Sequence, residues 1–336
     1  MHVLEAGEPG RPAVLLLHGF PELAYSWRKV MPALAQAGFH VIAPDQRGYG
    51  STTGWDGRYD GDLDSFRMLN LVEDAARLLA RLKIRKAHIV GHDFGATVAA
   101  YCGMTRPEAF RSVTLMSSPF GGASLGVRAE GVHRELAAIG RKHYQWYYST
   151  READRDMREC TQGVRAFLRA YYHYKSADWK GNKPHPLKGW TAAELAKLPT
   201  YYIMELDKDM AETVAPHMPA RAPAWLTDEE LAVYAEAFER SGFQGGLQWY
   251  RCSTSPRYSA ELARAVAGKT VDVPSTFIAG AADWGVYQKP GDFERMQGSA
   301  CTDMRACHLV EGAGHWVQQE QPGRTAALLV DFLKSA

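Results

Sequence analysis

The chain of 336 residues carries 39 Lys and Arg against 38 Asp and Glu, a formal net charge of +1, and is 46% hydrophobic and 23% charged. At ~150 residues per domain this is one large domain or two ordinary ones, and the composition excludes a disordered tail, a collagen-like chain and a disulfide miniprotein. The balanced charge offers no basic stripe for nucleic acid, and no apolar run approaches the ~20 residues of a membrane span. Nothing at the N-terminus reads as a secretory signal, and the five cysteines (Cys102, Cys160, Cys252, Cys301, Cys307) are odd in number and too scattered for a disulfide framework or a zinc site. A reduced, cytoplasmic setting is expected.

In chain order, a short strand over His2 to Glu5 and the turn Gly7-Glu8-Pro9-Gly10 precede the apolar run Pro12 to Leu17. That run reads as a buried strand ending in the tight turn His18-Gly19-Phe20-Pro21. Only about ten residues stand ahead of it, enough for that one short strand. Helical spacing through Trp27, Val30, Met31, Leu34 and Ala35 closes at Gly38, and Phe39 to Ala43 is a strand ended by Pro44. Leu69 to Leu82 has the spacing of a helix. Ala87 to Val90 is a strand that feeds Gly91-His92-Asp93-Phe94-Gly95 and a helix over Ala96 to Met104, and Ser112 to Met116 is a further strand. Such alternation predicts a parallel sheet with helices on both faces. From about Gly126 to Tyr250 the chain turns rich in Arg, Tyr and Trp, with helical spacing as in Leu226 to Phe238 and no evident strand. Strands at Thr276 to Ala279 and His308 to Val310 and a helix over Thr325 to Leu333 then restore the first pattern. The expected division is a core of 1–122 and 256–336 with a helical cap, 123–255, inserted between its halves.

The chemistry concentrates in the loops after strands. Gly91-His92-Asp93-Phe94-Gly95 has the strand-to-helix placement of a nucleophile elbow, a turn so tight that the flanking residues must be small, with helix N–H groups favouring negative charge. Its central residue is Asp93 where such elbows usually carry Ser. A literal Gly-x-Ser-x-Gly at Gly122 to Gly126 offers Ser124 as an alternative nucleophile, but Pro119 and Gly121-Gly122 separate it from the preceding strand and no clean helix follows. His315, in Glu311-Gly312-Ala313-Gly314-His315-Trp316, comes last after Asp93 and Asp283, the chain order nucleophile, acid, histidine. Asp283 would orient the ring. The backbone N–H groups of Phe20 and Phe94 would form a two-donor anion hole. In the loop Asp45 to Ser51, Gly48 and Gly50 suit positive backbone dihedrals and a structural role. A carboxylate nucleophile is anionic at neutral pH and suits attack on saturated carbon.

His18-Gly19-Phe20-Pro21, Asp45 to Ser51, Gly91 to Ala96 and Gly312-Ala313-Gly314-His315 together resemble an epoxide hydrolase of the α/β-hydrolase fold, over nearly the whole chain. The resemblance implies a mostly parallel, eight-stranded central sheet flanked by helices, with an inserted helical cap. By similarity the cap supplies two tyrosines: Tyr144 from Lys142 to Tyr147, with Tyr147 and Tyr148 as rivals, and Tyr250 from Gly245 to Arg251. These hydroxyls would protonate the alkoxide released when Asp93 opens an epoxide, and water activated by His315 and Asp283 would hydrolyse the ester to a vicinal diol. No metal or organic cofactor is expected; the partners are a small epoxide and water, with no nucleic acid or membrane, in a monomer or homodimer. Pro21, Trp146, Tyr147, Trp249 and Trp316 are candidates to line an apolar pocket. The alternatives are a dehalogenase using the same Asp93, disfavoured because Phe94, which can donate only its backbone N–H, stands where such enzymes carry Trp or Arg, a serine esterase using Ser124, and a non-catalytic receptor on the same fold.

Overall fold

The computed structural model describes residues 1–123 and 129–336, so Ser124 lies outside the described residues. Among the described residues the strands are β1 (Val3–Ala6), β2 (Ala13–Leu17), β3 (His40–Pro44), β4 (Ala87–His92), β5 (Phe110–Met116), β6 (Arg141–His143), β7 (Ile203–Glu205), β8 (Ser275–Gly280) and β9 (Met304–Val310). Seven of them form one sheet in the order β1-β3-β2-β4-β5-β8-β9; β1 is antiparallel to β3 and every other pair is parallel. Strands β2, β4 and β8 are buried along their whole length, as parallel strands covered on both faces must be. One face carries Trp27, Met31 and Leu34 with Leu329 and Phe332 of the Pro322–Ser335 helix; the other carries Leu71 and Leu79 of the Met68–Arg81 helix with Val98 and Ala99 of the Phe94–Thr105 helix.

The register decides where the loops meet. Leu17 pairs with Gly91, His92 with Met116, and Gly280 with Val310. The segments after β2, β4, β8 and β9 therefore leave the same edge of the sheet side by side, where ligand sites of open α/β sheets form.

Three expectations need correction. Among the described residues the sheet has seven strands, not eight: those ahead of β2 form the single strand β1. The segment between β5 and β8 is mostly helical, but it also holds the ribbon β6–β7, whose two three-residue strands are too short to leave a periodic signal. The spacing from Trp27 to Ala35 resolves into a 3-10 turn, Ala24–Trp27, and a separate short helix, Met31–Gln36.

The inserted helices are pinned to the core by side chains. Thr227 and Glu230 make a reciprocal capping box that starts the Asp228–Ser241 helix, and Gly242 (φ 68°) ends it. Glu230 also accepts from Arg28 Nε and Lys29 Nζ, at 3.0 and 3.1 Å. In the Gln244–Thr254 helix a Cβ on Gly245 would fall 2.0 Å from the Gly48 carbonyl oxygen, and one on Gly246 2.7 Å from the Tyr49 hydroxyl. Backbone meets backbone there, and Gly48 and Gly50 take the positive φ expected of them (93° and 56°). No described helix is long and apolar enough to cross a membrane.

Candidate active site

Asp93 sits between β4 and the Phe94–Thr105 helix with φ 52° and ψ −118°, a strained conformation for a residue with a Cβ. The turn closes because its neighbours are glycines. A Cβ on Gly91 would lie 2.1 Å from the Gly95 carbonyl oxygen, and one on Gly95 2.4 Å from the Leu17 carbonyl oxygen. The Phe20 N–H donates to Asp93 Oδ1 at 3.0 Å. Phe94 opens the helix, so its N–H has no partner one turn back. The turn before Phe20 is locked by His18, which donates through Nδ1 to the Gly19 carbonyl (2.9 Å) and accepts at Nε2 from the Gln46 N–H (3.1 Å). That pattern requires the neutral ring, and burial holds the His18 pKa below its ordinary value.

His315 is fully buried in the loop after β9. Its Nε2 is 3.3 Å from Asp93 Oδ2, and its Nδ1 is 3.1 and 3.2 Å from the two oxygens of Asp283. Asp283 also accepts from the Gly285 N–H at 2.7 Å. Burial pushes the Asp93 carboxyl up, but the His315 hydrogen bond and charge, with Lys175 and His92, outweigh it and leave the group well below the carboxylate range. Asp283 is lowered in the same way, burial opposed by His315, Gly285 and Lys175. Both acids are therefore anionic at neutral pH.

The inserted helices lie closed over Asp93, which is 7% exposed. The Tyr144 and Tyr250 rings are 5.9 Å apart, and Tyr250 packs against Phe20 and Phe94 at 5.5 and 5.2 Å. Burial, then the Asp93 charge, holds both phenols protonated far above their ordinary range. Tyr144 donates to Gln288 Oε1 at 3.2 Å and accepts from Gln145 Nε2 at 3.2 Å. Trp146 and Tyr147 are not brought to Asp93. Trp146 packs on His133 and His143, and Tyr147 turns its hydroxyl to Asp156 Oδ2 (3.1 Å). The ring that faces inward is Tyr148, 5.0 Å from Tyr250 and hydrogen-bonded to Tyr171. Pro21 follows Phe20 and accepts from the Tyr172 hydroxyl; Trp249 lies against Phe94 and Trp316 against His315. Of the five residues expected to line a pocket, Pro21, Trp249 and Trp316 therefore lie beside Phe20, Phe94 and His315, and the rings around Asp93 pack against one another. Two small recesses, one beside Arg47 and Asp74 and one beside Pro186 and Phe293, lie away from Asp93.

Sequence reasoning passed over four polar residues here. Glu22 accepts from the Gly19 N–H (3.0 Å), Gln318 Nε2 (2.9 Å) and His92 Nδ1 (2.6 Å), while His92 Nε2 donates to the His315 carbonyl (2.7 Å). A carbonyl only accepts, so both ring nitrogens of His92 carry protons beside an ionised Glu22. For His92, burial is outweighed by the Glu22 charge and the pKa is raised; for Glu22, burial is outweighed by His92 and it is lowered. Glu320 accepts from the N–H groups of Ala177 (2.8 Å), Gly314 and Trp316 (3.0 Å each), tying the cap to the His315 loop. The fourth, Lys175, ends the Gly163–Lys175 helix and is 3% exposed. His92 stands inside the Gly91-His92-Asp93 triplet, its one signal in the sequence, while Glu22 follows directly after His18-Gly19-Phe20-Pro21 and has none of its own. Among the described residues no cluster of three or more His, Cys, Asp or Glu is arranged to hold a metal ion.

An acid at a strand-to-helix elbow, an imidazole on its Oδ2 and a second acid behind that imidazole define a hydrolase of the α/β type with a carboxylate in the nucleophile's place. The pattern of the α/β-hydrolase fold matches residues 12–322. The chain is 35% identical to epoxide hydrolase A of Mycobacterium tuberculosis, over 99% of this chain and 94% of that protein. Epoxide hydrolase A of Mycobacterium thermoresistibile superposes with a TM-score of 0.80 at 33% identity, covering 99% of this chain and 94% of the other. Epoxide hydrolase I of potato (Solanum tuberosum) does so with a TM-score of 0.79 at 29% identity, covering 100% and 96%. The chain belongs to the α/β-hydrolase fold family and, within it, to the epoxide hydrolases.

Proposed function

We propose that this protein hydrolyses epoxides to vicinal diols through an ester on Asp93. The observation that carries the reading is the Asp93 carboxylate itself, with Oδ1 on the Phe20 N–H and Oδ2 facing His315 Nε2. Oδ2 attacks an oxirane carbon, the C–O bond breaks, and its electron pair leaves on oxygen. Tyr144 and Tyr250 bind that alkoxide and supply its proton. Phenols held protonated by burial suit this role, because their protons stay on until a strongly basic oxygen arrives. In the second step His315, oriented by Asp283, takes a proton from water as the water oxygen attacks Asp93 Cγ. The Phe20 and Phe94 N–H groups hold the oxyanion on Oδ1. Collapse releases the diol and restores Asp93 with one oxygen from water. No metal or organic cofactor takes part in these steps.

The dehalogenase alternative fits less well. A departing halide wants neutral donors, and the indole N–H groups of Trp249 and Trp316 already serve the carbonyls of Arg47 (2.9 Å) and Tyr172 (2.8 Å), while Phe94 presents only a ring. The division into a core of 1–122 and 256–336 and a cap of 123–255 is proposed on the same grounds, as is a cytoplasmic setting for a chain whose five cysteines are all unpaired. The test is a single turnover in ¹⁸O-water. The diol should take its new oxygen from Asp93 and remain unlabelled, while Asp93 gains the label. A labelled first-turnover diol, or turnover surviving in Asp93→Ala, would refute the ester.

A further inference from the structure

We propose that Lys175 is a recognition group for epoxides that carry a carboxylate, a reading that rests on the proposed activity and narrows its substrate class. The ammonium is enclosed by four rings: Nζ lies 5.0 Å from the centroid of Tyr202, 5.3 Å from Tyr171, 5.5 Å from Trp316 and 5.8 Å from Tyr201. This enclosure touches both halves of the reaction centre. Tyr202 packs on Tyr144 at 5.2 Å, and Trp316 packs on His315 at 4.7 Å.

Among the described residues Nζ makes no hydrogen bond, and the residue as a whole is 3% exposed. Burial lowers the Lys175 pKa against the fields of three carboxylates, Asp93, Asp283 and Glu22, each of which has other donors: Phe20 on Asp93, His315 and Gly285 on Asp283, and Gly19, His92 and Gln318 on Glu22. The buried hydroxyl of Tyr202, whose ring faces Nζ, lacks a partner. Aromatic faces offset only part of the cost of burying an ammonium, and buried charges in folded proteins are as a rule paired. Lysine at a helix C-terminus ordinarily extends its amine to water; here the chain has folded it inward, against Tyr202, which in turn packs on Tyr144. An anion restores more of the lost solvation than a neutral acceptor does, because it answers the charge as well as the hydrogen bonds. The ligand chemistry that fits is a carboxylate on the same molecule as the oxirane.

The experiment compares a terminal epoxide whose alkyl chain ends in a carboxylate with its methyl ester, in the wild type and in Lys175→Met, which keeps the length and removes the charge. The readout is the ratio of kcat/KM for the acid to that for the ester, whatever happens to the absolute rates. Removing one side of a buried charge pair should lower that ratio by about 30-fold or more. A ratio unchanged by Lys175→Met, with both substrates still opened, overturns the assignment and leaves the epoxide hydrolase reading standing. Wild type that opens neither compound nor any simple epoxide defeats the parent reading instead. Should Lys175→Met fail to fold, inhibition of the wild type decides. An alkanoate should compete with a neutral epoxide at least tenfold more tightly than the primary amide of the same chain length, and equal inhibition by the two overturns the proposal.

Discussion

Gly19 contributes no reacting atom, so Gly19→Ala isolates how closely the nucleophile must be held. The added methyl would sit 2.4 Å from Asp93 Cβ and 2.5 Å from Asp93 Oδ1. Comfortable carbon–carbon contact begins near ~3.5 Å, so the Gly19 turn and Asp93 must separate by roughly 1 Å. The elbow cannot absorb that shift by retreating along its own backbone, since Gly91 already abuts Gly95, and Gly95 abuts the carbonyls of Leu17 and His18. The shift therefore falls on the Phe20 N–H bond to Oδ1, now 3.0 Å, which opens past hydrogen-bond range. Loss of one oxyanion donor costs ~10²–10³ in rate, and a misplacement of ~1 Å costs ~10². Both describe one displacement and do not multiply, so kcat should fall by about 10²–10³. Because Oδ1 is held in both half-reactions, ester formation and ester hydrolysis should both slow. Overpacking of this kind costs ~1–3 kcal/mol of stability, too little to unfold an ordinary domain. Quench-flow measurement of the Asp93 ester against free diol, with thermal melts alongside, makes the test. A folded variant whose kcat stays within about threefold of wild type would show that the close approach of Gly19 to Asp93 is not what positions the carboxylate.

His315→Gln should let the ester on Asp93 accumulate as a stable mass adduct, with steady-state turnover reduced by at least ~10²; full turnover without adduct removes His315 from the second step. Tyr144→Phe and Tyr250→Phe should each slow ester formation, and the double variant should lose it by at least ~10³, as measured by the ester burst. A double variant with a normal burst would assign the proton to another group, Tyr148 first among them. Burial pushes the Glu320 carboxyl up to about 7 despite its three N–H donors. A folded pKa above the unfolded value means the unfolded chain gives up its proton first, so this group's contribution to stability falls as pH rises from about 4.5 to about 7 and is level above. The wild-type melting temperature, taken relative to Glu320→Gln, should therefore decline across that window, and a difference flat with pH would place the Glu320 pKa at its ordinary value.

What could be read from sequence was whatever close packing forces onto neighbouring residues. Gly91 and Gly95 are small because the turn leaves no room for a Cβ, and that constraint pointed to Asp93 as the residue projecting from it. Gly312 to Gly314 likewise announced a loop able to bring His315 across the sheet edge. Partners chosen by the tertiary fold left no such trace. Tyr147 and Tyr148 are adjacent on the Tyr144–Tyr148 helix, and which one faces Tyr250 depends on where β6 and the Gln244–Thr254 helix hold that turn. Glu22 and His92 stand 70 residues apart, and their pairing follows from β2 lying beside β4. Lys175 reads in sequence as a basic residue closing a helix, and only the convergence of two further segments, Tyr201-Tyr202 and the His315 loop, makes it a buried cation.

That convergence also ties the end of the Gly163–Lys175 helix to the His315 loop. The Lys175 carbonyl accepts the His315 N–H at 2.9 Å, and a Cβ on Gly314 would fall 2.6 Å from the same oxygen. Two residues on, the Ala177 N–H meets Glu320, which also holds Gly314 and Trp316. The His315 carbonyl is taken by His92, and through it by Glu22. The imidazole thus hangs on a backbone clamped on one side by the core and on the other by the end of a cap helix. A cap that opened by moving the Gly163–Lys175 helix would pull on His315 directly. Entry through the Tyr144 and Gln244–Thr254 side leaves that clamp untouched, so the rings that part for substrate should be those of Tyr144, Tyr148 and Tyr250, with the segment 175–177 fixed. Amide hydrogen exchange can separate the two: protection at His315 and Ala177 should stay high when the cap breathes, and exchange there as fast as at Tyr148 would mean the hinge lies on the Lys175 side.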